Sequence, residues 1–416
     1  MNNIEYLNDL YRDMWWRASI ELDLGKKKIT YLEKKKREKT LDLFIDKIIN
    51  HIREFPENIE KRKLWRDLGN KYIEKIIEEE DTFRLGTLDK VMKEQFFRST
   101  KLFINTCRKF DKNISYSDIG QAMRNVWIIN IFQKVMGRNI EFSKAIFGYS
   151  MLYPYTDNYL DNTKITLENK KNFNSRFSKR LSGEEIEAKD SHEKNVYKLV
   201  SCIEEVFNRE EYPKVYESLL LIQEGQKKSL YEQEGVSIPY ERDMLSISIV
   251  KGGASVLADG YLVCGELTTE EEIFAYGYGF LLQICDDLQD VKVDLENGHM
   301  TIISQIAEKY NLDRIINKLI NIIVDIVDSA KCFKGENVKE LKDLIKDNCI
   351  TMVLFAIVDN KEYFSTEYIK ELNGYLPFTL GYMEGLEKML KKKFKILKPS
   401  YHGIDIEEIL MYLFEV

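Results

Sequence analysis

GFLLQICDDLQDVKVDLENGHMT, running from Gly279 to Thr301, is the stretch that decides how this chain is read. On a helix Asp286 and Asp290 stand four apart and share one face, with Asp287 beside them. The apolar neighbours Leu281, Leu282, Ile284 and Leu288 predict that this helix is buried. Three carboxylates on a mostly buried helix need compensation, either by cations or by protonation. Mg²⁺ is one solution, because it is hard, prefers oxygen, and takes one or two carboxylates while leaving positions for water and substrate phosphate. The competing explanation is an acidic stripe facing solvent near a helix end.

Upstream, YPYTDNYLDN (Tyr153–Asn162) places Asp157 and Asp161 four apart on a second helix candidate, amid aromatic residues. Pro154 predicts a kink there, or a first turn at which the Asp-bearing helix starts. Helices are expected over 117–135, 141–163 (which carries this pair), 195–207, 214–231, 244–264, 270–291, 312–332, 338–358 and 377–394, with loops at 182–192, 233–239 and 294–300. Thr269-x-x-Glu272 has the form of a capping box opening the aspartate-bearing helix. Towards the N-terminus, LDLFIDKIINH (41–51) repeats apolar residues at helical spacing, with breaks near Phe55-Pro56 and at 111–113. The Lys34–Arg37 run reads as a solvated helix face.

The remaining composition fits an all-α chain. Six prolines in 416 residues leave long helices uninterrupted, and 31% charged with 44% apolar residues is an ordinary balance for a folded soluble domain. A net charge of −7 argues against a dedicated nucleic-acid binder. The opening MNNIEYLNDLYRDMWW has no signal-peptide pattern, and no run of 18 apolar residues predicts a transmembrane span. Six scattered cysteines without CxxC pairs predict free thiols in a reducing cytoplasm. The four histidines are far apart, so metal chemistry would rest on carboxylates.

Gly279-x-x-x-Gln283-x-x-Asp286-Asp287-x-x-Asp290 resembles the second aspartate-rich motif of trans-isoprenyl diphosphate synthases, and Gly298-His299-x-Thr301 resembles the loop that follows it. Gly225-Gln226 is similar to that family's Gly-Gln helix, and Lys251-Gly252-Gly253 sits where the family carries a substrate-binding lysine. Asp157–Asp161 takes the place of the first motif in a DxxxD form closer to terpene synthases. The resemblance covers roughly residues 120–390. The Gly-Gly-Lys-Arg and Arg-Arg-Gly segments that hold isopentenyl diphosphate in chain-elongating members are missing; Arg176, Lys179 and Arg180 are a partial substitute. This combination resembles bacterial class IB terpene synthases.

The resemblance implies a single large helical bundle of the isoprenoid synthase type, with residues 1–110 as a helical extension packed on a catalytic domain of 111–416. It implies Mg²⁺ held by Asp157, Asp161, Asp286, Asp287 and Asp290. The diphosphate of a C10–C25 allylic substrate would be bound by Lys251, Gln283, Arg176 and Arg180. Tyr153, Tyr159, Phe147 and Phe280 are candidates to face a carbocation, against the plainer expectation of core packing. The lysine-rich KMLKKKFKILK (388–398) would allow transient membrane-surface contact, and the first hundred residues leave room for a homodimer. The runner-up activities are condensation of two isoprenoid diphosphates and a non-catalytic regulatory subunit. An EF-hand is excluded, since Gly298 as its sixth loop position would put Val293 at the first, where an acid is required.

Overall fold

Long stretches of good helix formers, each opened by a polar cap, set this architecture. The computed structural model of the chain describes residues 4–79, 82, 89–162, 164–232, 242–335 and 337–413, with the side chains of 77, 161, 226–232 and 411 outside that description. In chain order the helices are α1 (Ile4–Arg17), α2 (Tyr31–Arg53), α3 (Ile59–Glu79), α4 (Lys90–Phe110), α5 (Tyr116–Val135) and α6 (Lys144–Asp161). They continue with α7 (Leu167–Leu181), α8 (Ser191–Glu204), α9 (Pro213–Glu232), α10 (Met244–Cys264), α11 (Thr269–Gln289) and α12 (Val291–Asn297). Last come α13 (Asp313–Ser329), α14 (Val338–Asp359), α15 (Thr366–Leu372), α16 (Leu380–Phe394) and α17 (Ile406–Tyr412). A two-stranded antiparallel hairpin, β1 (Ser400–Tyr401) with β2 (Ile404–Asp405), is the only sheet among the described residues. The fold is an all-α bundle.

Ser115, Ser143, Thr166, Asp190, Asp243 and Thr268 each accept a first-turn backbone N–H, fixing where α5, α6, α7, α8, α10 and α11 begin. At the centre, α10 packs against α5, α9 and α11. It is the one helix among the described residues with the length and mean hydropathy (1.3) to suit a membrane, but 67% of that stretch is buried in the bundle, as in a core helix. The first 110 residues divide between two cores. Leu7, Tyr11 and Trp15 of α1 and Phe103 and Cys107 of α4 join the main core. Ile52, Phe55 and Trp65 of α2, α3 and the turn between them pack instead with Ile409 and Leu413 at the C-terminal end. All six cysteines are free.

Several local expectations need correction. The capping box of α11 is Thr268 with Glu271, one residue earlier than read, because TTEEE offers two Thr-x-x-Glu alignments; Glu272 is buried and accepts instead from the Tyr261 hydroxyl. Pro154 neither opens nor ends a helix: α6 starts at Lys144 and carries the proline in its interior. The expected loop at 294–300 is largely α12, since Asp294 N–H donates to Asp290 O at 2.8 Å and helical bonding runs on past the end of α11. Helix α7 was not anticipated between the first motif and the loop before α8. Lys34 is not a solvated residue; it is buried and donates to the Asn373 carbonyl. The expected loop at 233–239 lies outside the described residues.

Candidate active site

Gly252 on α10 and Gly279 on α11 meet backbone to backbone. A Cβ on Gly279 would lie 2.1 Å from the Gly252 carbonyl oxygen, and one on Gly252 would lie 2.3 Å from that of Gly279. Only two glycines permit so close a crossing. Its consequence is local: Lys251, beside one glycine, is carried to the helix that bears Gln283 and the aspartates four to eleven residues beyond the other. Lys251, Gln283 and Asp286 all line one cavity of about 950 Å³.

That cavity runs between α4, α5, α6, α7, α9, α10, α11 and α14, and its two ends differ. At the mouth, Asp157 on α6 faces Asp286 on α11 across Tyr153, whose hydroxyl pKa is raised by burial and then by both carboxylates. Asp290 caps α11 at the exposed rim. Its pKa is raised by desolvation on its protein side and by Asp286, and lowered by Arg124 and Lys251. Asp294, one further turn on, is pushed up to about 6 by burial and by Asp290, while Lys251 opposes the shift. The 298–301 loop folds back on this residue: Gly298 turns the chain at a φ of 69°, and His299 N–H donates to Asp294 O at 2.8 Å. Deeper in, the walls are apolar, with Phe96, Phe97, Ile128, Leu152, Leu219 and Met352 among them.

Asp287 has a different task from its neighbours. It is buried in the α10–α11 seam, does not line the cavity, and accepts from Gln283 Nε2 at 2.7 Å and from Ser248 Oγ at 3.0 Å. Burial raises its pKa to about 6 despite those two donors and the Lys251 charge. It orients Gln283 towards the cavity and ties α11 to α10.

Arg176 and Arg180 stand elsewhere. Arg176 pairs with Glu193 at 2.9 Å and Arg180 pairs with Glu204, so both cations on α7 are committed to α8, and neither lines the cavity. Of the four aromatic candidates only Tyr153 lines it. Phe147 packs on Phe103 and Phe110, Tyr159 stacks on His192, and Phe280 lies against Tyr11 and Trp15. Asp161 ends α6, and its side chain, like that of Gln226, lies outside the described residues.

Sequence reading missed two mouth residues. Arg124 on α5 lines the cavity, makes no ion pair among the described residues, and acts on both Asp290 and Tyr153. A lone arginine in an apolar helix gives no spacing signal. Asp294 did give one, as the third member of the Asp286–Asp290–Asp294 series at intervals of four.

One anomaly lies further along α10, beyond the cavity lining. Lys251, Ser255 and Asp259 succeed one another at intervals of four down α10, about 12 Å from first to last. Asp259 is fully buried, and neither carboxyl oxygen has a hydrogen-bond partner among the described residues. Burial pushes its pKa well above the usual carboxylate range.

The donors at the mouth suit Mg²⁺. They are hard oxygens, mutually repelling, and flanked by cations that suit a phosphate-bearing ligand. Among the described residues no three His, Cys, Asp or Glu side chains converge into a closed cage. An ion that keeps most of its sphere for water and substrate oxygen does not require one. No protein-family model matches the chain, and no curated protein is similar to it in sequence.

Proposed function

We propose that the protein is a Mg²⁺-dependent class I terpene synthase that ionises an allylic isoprenyl diphosphate of C10–C25 and releases a linear or cyclic terpene plus diphosphate. The observation that carries this reading is the polarity gradient along one cavity, with the carboxylates Asp157 and Asp286 and the cations Lys251 and Arg124 at one end and apolar walls at the other. An isoprenyl diphosphate has the same gradient along its own length. Asp157, Asp286 and Asp290 would hold the metal, with Asp161 as a further candidate. When bound, the metal neutralises charge growing on the diphosphate as the carbon–oxygen bond breaks.

The chain's own residues account for the rest. Lys251 and Arg124 bind the diphosphate and stay close as it accepts the bonding electron pair, so their attraction is greatest in the transition state. Gln283, held by Asp287, orients the leaving group by hydrogen bonding. The apolar walls keep water from the allylic cation, and Tyr153 and Trp127 offer aromatic faces to it. The cation is discharged by losing a proton from an adjacent carbon to the released diphosphate, and the C–H electrons become the new double bond. Condensation of two substrates would need a second diphosphate site. Arg176 and Arg180, the two arginines that the resemblance offered for diphosphate binding, are already committed to glutamates, which favours the one-substrate reaction.

The test is to incubate the protein with Mg²⁺ and single allylic diphosphates of C10 to C25, each with and without isopentenyl diphosphate. Hydrocarbon or alcohol from one substrate alone, lost in Asp286→Ala, is the expected result. A longer diphosphate formed only with isopentenyl diphosphate would establish a prenyltransferase. No turnover of any substrate would favour a regulatory subunit.

A further inference from the structure

Two lysine-rich segments some 350 positions apart in sequence lie side by side in the fold. Helix α2 carries Lys34–Lys36 and Lys39, and the end of α16 with the residues after it carries KMLKKKFKILK (388–398), which has no acidic residue. The two helices are fastened along their length. Lys34 donates to the Asn373 carbonyl, Glu38 accepts from Thr379 N–H at 2.9 Å, and Lys393 pairs with Asp46 at 2.7 Å. These contacts bury Glu38 and engage Asp46 in an ion pair, and they leave other lysines outward. Lys36, Lys39, Lys388, Lys392, Lys395 and Lys398 are exposed and make no ion pair among the described residues.

Apolar side chains stand among these lysines. On α2, Leu32, Lys36, Lys39 and Leu43 follow at intervals of four, three and four, which aligns them on one outward strip next to the α16 contact. Leu32 is 79% exposed and Leu43 59%; on the other segment Phe394 is 42% and Ile396 60% exposed. A solvated basic face has no use for four exposed large apolar residues. Lysines flanking projecting Leu, Ile and Phe match the two layers of a bilayer surface, anionic headgroups outside and acyl chains beneath. The whole chain is net negative, so this face is a local reversal of charge, and attraction to an anionic surface would orient the molecule on approach.

We infer that the joint face of α2 and α16 docks the protein reversibly on an anionic membrane surface. The inference does not depend on the proposed activity, and its test uses neither Mg²⁺ nor substrate.

The full-length chain is sedimented with vesicles of phosphatidylcholine alone or with about three parts in ten of phosphatidylserine, at about 0.05 M and 0.5 M salt. The expected result is co-sedimentation with the serine-containing vesicles at low salt, lost at high salt and absent with neutral vesicles. The charge variant Lys36→Glu/Lys39→Glu/Lys392→Glu/Lys395→Glu lowers partitioning at least about tenfold, with an unchanged circular dichroism spectrum. Leu43→Ser/Ile396→Ser also weakens it while leaving retention on heparin unaltered, which separates a bilayer from a generic polyanion. No binding to anionic vesicles at low salt overturns the inference. So does equal binding by wild type and the charge variant, or an apolar variant that binds vesicles as the wild type does.

Discussion

Two buried aspartates on adjacent helices, Asp287 in the α10–α11 seam and Asp259 about two turns down α10 from Lys251, neither of them lining the cavity, show two different ways of burying a carboxylate. Asp287 has two side-chain donors and a nearby lysine charge, and with them its carboxyl stays near 6. Asp259 has no donor among the described residues and is held neutral by burial. The seam is arranged to keep a charge in place. Around Asp259 the packing tolerates one acid at the expense of stability. Lys251 and Asp259 lie on one face of a single helix, so the change from polar to apolar takes only about two turns of α10.

The largest expected effect comes from breaking the crossing that builds the mouth. Gly279→Ala puts a methyl 2.1 Å from a backbone oxygen that cannot move aside alone. It should cost about 3 kcal/mol, at the upper end of overpacking. Thermal melts should show the loss, and turnover should fall with it because Lys251 and Gln283 separate. A variant as stable and active as the wild type would mean that the seam does not position the site.

Next come the two aspartates themselves, which should respond with opposite signs. Asp287→Leu strands Ser248 and Gln283 and should destabilise by about 1–3 kcal/mol, whereas Asp259→Leu should be neutral or stabilising by about 1–2 kcal/mol. Chemical denaturation of both variants measures this, and equal signs would erase the contrast. The pH dependence sharpens it. The folded-state pKa of Asp259 is raised, so its protonated form supports the fold fully below the unfolded carboxylate range near ~4. That support is lost as pH rises through the folded-state value. The advantage of Asp259→Leu over the wild type should therefore widen from about pH 4 upward, and a flat difference would contradict this assignment.

The two kinds of arginine give the smaller effects. Arg124→Ala should lower kcat/KM about ten- to hundredfold by removing a cation at the leaving group. Arg176→Ala should leave kcat/KM unchanged and cost about 1–3 kcal/mol of stability, because it strips the buried Glu193 carboxylate of its guanidinium partner. Steady-state kinetics on both variants decides between them, and reversed results would move the diphosphate site to α7.

The sequence was most legible where a feature is local. The limits of α10 were read at Met244 and Cys264, where a strongly apolar stretch begins and ends. The DDxxD helix was read because its acids repeat at the helical period. Legibility failed where partners lie elsewhere in the chain. Arg176 and Arg180 follow the first motif in sequence, yet Glu193 and Glu204 on the next helix hold them. Asp287 reads the same as Asp286, and only the meeting with Ser248, 39 residues upstream, turns it into the seam. Arg124 reaches the mouth by the packing of α5, which no spacing encodes.

The central claim, that the mouth ionises one allylic diphosphate, is tested most directly by release of inorganic diphosphate. Geranylgeranyl diphosphate and its shorter and longer homologues are supplied singly, with Mg²⁺ and no second substrate, to the wild type and to Asp286→Ala. The account predicts steady diphosphate release with at least one chain length, matched mole for mole by terpene. Release should fall by about a thousandfold or more in the variant, while its melting temperature is preserved. Release that is equal in both proteins, or none from the wild type with any chain length, would contradict it.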